Sequence, residues 1–121
     1  MRTIVGIIGN SRLSNMIASE FSKNGFFRTS IKSKVKEVAT YLLPINDSQK
    51  EFMIESLRSR AYNINKNYWI NMLLSSVAKD NKKIIIEDLK EEDVIKDIKV
   101  YRISEHNIEE IKIEIKKEFL S

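Results

Sequence analysis

Gly9, Ser14, Asn15 and Met16 stand at the spacing of the phosphate-cradling pattern G-x-x-x-x-G-K-[ST], and only Gly9 is the residue that pattern requires. The stretch Ile4-Val5-Gly6-Ile7-Ile8-Gly9-Asn10-Ser11-Arg12-Leu13-Ser14-Asn15-Met16 reads as a hydrophobic strand, a turn opening at glycine, and a helix beginning around Ser14. Backbone N–H groups of such a loop, at a helix amino terminus, bind phosphate without any special side chain. The phosphate-binding set expected here is Gly9, Asn10, Ser11, Arg12, Leu13, Ser14 and Asn15. Phosphoryl transfer asks more: a lysine to neutralise the β- and γ-phosphates and a hydroxyl to hold magnesium. Asn15 donates a hydrogen bond but brings no charge, and Met16 has no oxygen for a hard cation. Losing one preorganised electrostatic donor typically costs about a hundred- to a thousand-fold in rate. Ser14 is strained if the loop requires positive φ at its position. Arg12 is the one local basic group whose guanidinium suits phosphate geometry. The competing reading is a plain strand-to-helix turn with no ligand.

Composition narrows the classes. A chain of 121 residues spans one domain, residues 1–121, large enough for a single core. With 42% hydrophobic and 31% charged residues it is of ordinary globular type. No apolar run approaches the ~20 residues of a membrane span, and the amino terminus lacks the pattern of a secretory signal. The absence of cysteine excludes disulfides and thiolate zinc sites and fits a reducing, cytoplasmic setting. The single histidine, His106, leaves no histidine-rich metal site, and no resident metal is expected. The net charge of +4 suits a polyanionic small ligand such as a nucleotide. It falls short of the basic stripe of a nucleic-acid binder.

The elements that must position these residues follow from periodicity. Thr3–Ile8 is a continuous apolar run suited to a strand covered on both faces. A helix is predicted over 14–23, with Ile17, Ala18 and Phe21 inward, and Asn24-Gly25 as its stop. Residues 26–30 read as a short strand, and 33–43 as a helix carrying Val35, Val38, Ala39 and Leu42 on one side and ending before Pro44. After a turn at 45–47, Ser48-x-x-Glu51 offers a capping box for a helix that buries Phe52, Met53 and Leu57 and gives out near Ala61. A polar connector at 63–67 leads to a helix over 68–79, with Trp69, Met72, Leu73 and Val77 on one face. Residues 83–87 form the second buried strand, with Asp88 just past its carboxyl end. A solvated acidic turn carrying Glu91, Glu92 and Asp93 precedes the last strand, 99–103. The tail, 105–120, alternates in part like a strand, but its length, a Ser104 cap and Lys116-Lys117 in its last turn favour helix. Strands separated by helices make βαβ units. The expected fold is therefore α/β, three-layered, with a small, mainly parallel sheet flanked by helices. Ligands in such sheets sit at the carboxyl strand ends, which places the Gly9 loop and Asp88 on one edge.

Several segments, in order, resemble the phage-type deoxynucleoside monophosphate kinases of the P-loop nucleotide kinase group. Val5-Gly6-Ile7-Ile8-Gly9 with its helix resembles their strand and phosphate loop. Gly25-Phe26-Phe27 followed by Ile31-Lys32-Ser33-Lys34-Val35-Lys36-Glu37 resembles their "GF" strand and "PLKE"-like helix. Asn67-Tyr68-Trp69-Ile70-Asn71-Met72-Leu73 resembles a "W-v-n-x-l" helix, Ile84-Ile85-Ile86-Glu87-Asp88-Leu89-Lys90 a "v-v-i-x-D-v-R" strand end, and Val100-Tyr101-Arg102-Ile103 the terminal strand. The resemblance implies a P-loop NTPase-like fold, ATP with Mg²⁺ as cofactor, and a phage or viral source, hence a host cytoplasm. It implies a catalytic part for Asp88, as a magnesium-facing carboxylate or a substrate contact, beside Arg12. It puts Arg58 and Arg60 where the monophosphate acceptor binds and Lys90 where the family tends to carry arginine. The residues alone also allow Asp88 as a helix cap and Arg58 and Arg60 as a solvated helix face.

Three functions of different class follow. One is an active deoxynucleoside monophosphate kinase in which Arg12 replaces the loop lysine. Another is a catalytically impaired relative, a pseudoenzyme with a degenerate phosphate loop that still binds a nucleotide. The third is an interaction module whose edge meets a protein partner or a second copy. The missing lysine and hydroxyl, and a chain too short for a full lid, favour the impaired domain, acting as a nucleotide-binding or protein-interaction module.

Overall fold

The computed structural model describes residues 2–42 and 49–120. The chain runs β1 (Thr3–Ile8), α1 (Ser11–Lys23), β2 (Phe27–Thr29), α2 (Ile31–Leu42), α3 (Lys50–Ile64), α4 (Tyr68–Ser76), β3 (Lys83–Ile86), a 3₁₀ turn (Glu91–Asp93), β4 (Ile98–Arg102) and α5 (Ile108–Ile115). A π-helical turn, Lys116–Leu120, continues α5. The four strands form one sheet in the order β2-β3-β1-β4, and every pairing is parallel. The register sets Val5 opposite Ile85 on one side and Lys99 on the other.

Strand alternation divides the core into two layers. Val5, Ile7, Ile85 and Tyr101 point to one face, where α1 and α5 cover them with Ile17, Ala18, Phe21, Ile111 and Ile115. Ile4, Ile84, Ile86 and Ile98 point to the other, covered from α2, α3 and α4 by Val35, Ile54, Trp69, Ile70 and Leu73. The result is a three-layer α/β fold, with both faces buried as an all-parallel sheet requires. The β1–β2 and β3–β4 crossovers travel in opposite directions across the sheet and lie on opposite faces, as a single handedness demands. Among the described residues, no helix is long and apolar enough to cross a membrane.

The structure corrects several element boundaries. Helix α1 starts at Ser11 rather than Ser14, and α2 at Ile31 rather than Ser33. The inward residues of α3 are Ile54 and Arg58, while Phe52 is exposed and Met53 and Leu57 are half-buried. A stripe of hydrophobic residues misled there because the helix buries a charged side chain instead of an apolar one. That helix continues to Ile64, α4 ends at Ser76, and Val77 stays buried just beyond it. The capping residue Ser48 and the turn at 45–47 lie outside the described residues. The tail is helical, starting at Ile108 beyond Ser104, whose N–H donates to Asn107 Oδ1 at 2.7 Å. Gly25, at φ 90°, closes α1 as expected, with the Phe26 N–H reaching back to Phe21 O at 3.1 Å.

Gly9 has a packing reason of its own. The Ile103 N–H donates to Ile8 O at 2.8 Å, extending the β1–β4 pairing past the strand end. A Cβ added at Gly9 would lie 2.8 Å from the Ile103 carbonyl oxygen, and backbone so placed cannot swing aside. Gly9→Ala is therefore expected to destabilise the protein by about 1–3 kcal/mol, the range for overpacking, in urea unfolding with no nucleotide present. An unchanged midpoint would show that packing does not hold this glycine.

Candidate functional site

Adjacent strands β1 and β3 send their chains to opposite faces of the sheet, β1 into α1 and β3 toward the α2–α4 layer. This divergence makes their carboxyl ends the switch point at which the ligand crevice of an open α/β sheet is expected, and there the Leu89 N–H still donates to Ile7 O at 2.9 Å. The walls of such a crevice would be the Gly9–Asn10 turn on one side and the segment from Glu87 to Asp93 on the other.

On the first wall the β1–α1 turn contains only Gly9 and Asn10. Asn10 caps α1: its Oδ1 accepts the Leu13 N–H at 2.9 Å, and its carbonyl accepts the Ser14 N–H at 3.0 Å. Asparagine is among the best N-caps, and Leu13 is buried in the core, so residues 11–13 gain more as helix than as open loop. Of the N–H groups expected to cradle a phosphate, those of Leu13 and Ser14 are thus engaged within the helix. Those of Ser11 and Arg12 belong to the first turn, where no intrahelical acceptor exists. Ser14 is buried with its Oγ unpaired among the described residues, and no described residue other than glycine has positive φ, so the expected strain at Ser14 does not arise. The Arg12 guanidinium extends to Glu105 at 3.1 Å, with both side chains exposed.

Asn15, at the lysine position of the motif, accepts a hydrogen bond from Arg28 of β2. The same guanidinium donates to Ser19 Oγ at 3.0 Å and pairs with Glu87 at 2.7 Å. Arg28 thus joins α1, β2 and the end of β3, a junction that sequence reasoning missed. The signal was present: a lone cation in a short β-run, with an acid at the end of the neighbouring strand. Met16, at the hydroxyl position, lies beside α5 in a surface groove shared by the two helices.

The second wall is built on buried charge. Both carboxylate oxygens of Asp88 accept backbone N–H groups of α2, from Ile31 at 2.7 Å and Lys32 at 2.8 Å. Asp88, 57 positions from Ile31, thus adds a remote cap to the local one, Ser30, whose Oγ accepts the Ser33 N–H at 2.9 Å, and α2 starts at Ile31. Burial raises the Asp88 carboxyl above its ordinary range, against the pull of those N–H groups and of Arg58, whose Nη1 lies 3.6 Å away. Arg58 is only 3% exposed. Its Nε donates to Tyr62 Oη at 2.8 Å and its Nη2 to the Asp88 carbonyl at 2.8 Å and to Asp93 at 3.0 Å. Tyr62 Oη donates to Asp93 Oδ1 at 2.6 Å, and the Lys90 N–H donates to Asp93 Oδ2 at 2.9 Å. Asp93, expected in a solvated acidic run, is fully buried because Arg58, Tyr62 and a backbone N–H satisfy it. Burial works against the Arg58 charge, yet Tyr62 and the two aspartates outweigh it and raise its pKa. Burial, with Asp93 as acceptor, also pushes the Tyr62 phenol up and keeps it protonated.

The structure therefore brings Asp88, Arg58 and the Lys90 backbone into one cluster. Arg60 is exposed, two residues from Arg58 along α3, where side chains do not face the same way. Lys90 Nζ pairs with Glu55 at 2.9 Å, and Arg102 grips Glu91 with two bonds, of 2.6 and 2.9 Å. The chain matches no protein-family model, no curated protein and no solved structure in the comparisons made.

Removing Arg58 would strand the Asp93 charge in the core. Arg58→Ala is expected to cost about 3–5 kcal/mol, the usual penalty for breaking a buried pair from one side, measured by urea or thermal unfolding. Arg12→Ala, which breaks an exposed pair, should leave the same curve unmoved. Equal effects of the two substitutions would refute this assignment.

Proposed function

We propose that the chain is a catalytically impaired, nucleotide-kinase-like α/β domain of P-loop descent, which engages phosphate-bearing ligands without transferring their phosphoryl groups. One observation carries this reading: the three positions after Leu13 hold a buried serine, an asparagine hydrogen-bonded to Arg28, and a methionine beside α5. The pattern needs glycine, lysine and a hydroxyl there, so the crevice lacks both the cation and the hard oxygen ligand of phosphoryl transfer. ATP with Mg²⁺ does not fit this donor set. The Met16 thioether is no ligand for magnesium, and the Asn15 oxygen already accepts from Arg28. What remains for an anion is the first turn of α1, with the N–H groups of Ser11 and Arg12 and the exposed Arg12 side chain. Binding of that kind is weak and independent of metal.

The alternative, an active deoxynucleoside monophosphate kinase, draws on the exposure of Arg12 at the crevice mouth. It requires Arg12 to leave Glu105 and do the lysine's work.

Calorimetric titration with ATP, GTP and deoxynucleoside monophosphates, with and without Mg²⁺, tests the first reading, together with a coupled assay of ADP release. Weak, magnesium-indifferent binding and no turnover above background are expected. Turnover that Arg12→Ala abolishes would replace this reading with the active kinase. Asn15→Lys should not create activity, because the new ammonium would stand against the Arg28 guanidinium. Turnover in that variant would mean that the missing charge alone disabled the site.

A further inference from the structure

Glycine follows asparagine at one place in the chain, Asn24-Gly25, and every other asparagine precedes a residue with a side chain. The pair forms the corner between α1 and β2, and both residues are exposed. Asn24 Nδ2 donates to Glu20 O at 2.8 Å, covering a carbonyl that the helix end leaves without a backbone donor. The Asn24 N–H donates to Phe21 O at 3.0 Å, and the Phe26 N–H reaches the same oxygen at 3.1 Å. These bonds turn the chain so that Phe26 enters the core, its ring centroid 4.9 Å from that of Phe21 and 6.1 Å from that of Phe119.

The same corner brings a nucleophile and an electrophile together. The Gly25 backbone nitrogen and the Asn24 side-chain carbon Cγ are the two ends of a five-membered ring that one new bond would close. A side chain on the following residue obstructs that closure. Gly25 has none, and a Cβ built there would meet nothing within 4 Å, so the corner is open to the ring. The Gly25 N–H is held only by a long bond to Ser22 O, at 3.3 Å.

We propose that Asn24 is a site of spontaneous deamidation, which converts the α1–β2 corner into aspartate and isoaspartate forms. Hydroxide takes the Gly25 N–H proton, the nitrogen bonds to Asn24 Cγ, and the Cγ–Nδ2 bond breaks. Nδ2 leaves as ammonia after taking a proton from water. A second water opens the ring imide, and no atom is oxidised or reduced. Opening at Cγ gives aspartate. Opening at the main-chain carbonyl gives isoaspartate, whose backbone runs through the former side chain and is longer by one carbon. Both products weaken the corner. A carboxylate at position 24 has no proton to donate to Glu20 O and stands at the negative end of the helix. The longer backbone of isoaspartate pulls the Phe26 N–H away from Phe21 O. The proposal concerns the end of α1 remote from Gly9 and holds whichever ligand the crevice takes.

Peptide mass spectrometry of the folded full chain, incubated at neutral and at mildly alkaline pH, tests it. A gain of one dalton is expected first on the peptide that contains Asn24, faster at alkaline pH because hydroxide generates the nucleophile. Part of the product should be a substrate for an isoaspartate-specific methyltransferase. Asn24→Gln, whose ring closure would need six atoms, should stay unmodified at that position. Asn24→Asp, made directly, should melt about 4–8 °C below the wild type, the scale of one lost cap. Another asparagine reacting first would overturn the proposal. So would a folded chain that keeps Asn24 intact while the same chain in urea deamidates there, or an Asn24→Asp variant that melts with the wild type.

Discussion

The buried ion pair between Arg58 and Asp93 is the constraint on which this side of the molecule depends. Neither charge reaches water, so each is tolerated only while the other is in place. The geometry that satisfies them involves four elements at once. Arg58 rises from α3, Asp93 from the 3₁₀ turn after β3, and Tyr62 bridges both from the next turn of α3. The Asp88 carbonyl holds the guanidinium at the strand end, while the Asp88 carboxylate adds a cap to α2. The carbonyl of Arg58 also accepts the indole N–H of Trp69 at 3.1 Å, which ties α4 to the same point. A shift in any of these elements would leave a charge or a buried donor unpaired. The network therefore sets the position of one crevice wall more strictly than apolar packing alone could.

The opposite wall is governed by economy of chain. Two residues connect β1 to α1, Gly9 yields its side-chain space to Ile103, and Asn10 ties down the first turn of helix. Phosphate cradles work by presenting several unpaired N–H groups around an open loop. Here residues 11–15, which would have to form such a loop, belong to helix α1. The cations of the edge are also occupied: Arg12 by Glu105, Arg28 by Glu87, Lys90 by Glu55, Arg102 by Glu91. Pairing of this kind flattens the local potential, so the chain's net positive charge does not focus on the crevice. A phosphate-bearing ligand would have to compete with carboxylates already in place.

The parts of this organisation visible in one dimension were those set by local pattern. Ile84-Ile85-Ile86 and the β1 run announced buried parallel strands, Asn24-Gly25 announced the end of α1, and the spacing of Trp69 and Leu73 announced the inward face of α4. The start of α2 was misplaced although its local cap, Ser30, stands in the sequence; the support hidden from the sequence is the pair of bonds to Asp88, far along the chain. The face of α3 was misassigned because an arginine, normally a surface residue, is the one turned inward. Asp93 sits among acidic neighbours that are solvated, and only the approach of α3 distinguishes it from them.

By itself the amino-acid sequence determined the strands, most of the helices and the α/β class. These depend on periodicity, glycine geometry and the order of elements, all of which are local. It also determined that the motif positions 14–16 lack glycine, a cation and a hydroxyl. Only the tertiary structure decided what the polar residues do. Whether Arg58 meets solvent or Asp93, whether Asp88 faces a ligand or caps α2, and whether Asn15 is free or held by Arg28 depend on contacts between distant segments. The desolvation that makes those contacts obligatory exists only once the sheet and its two helical layers have closed around them.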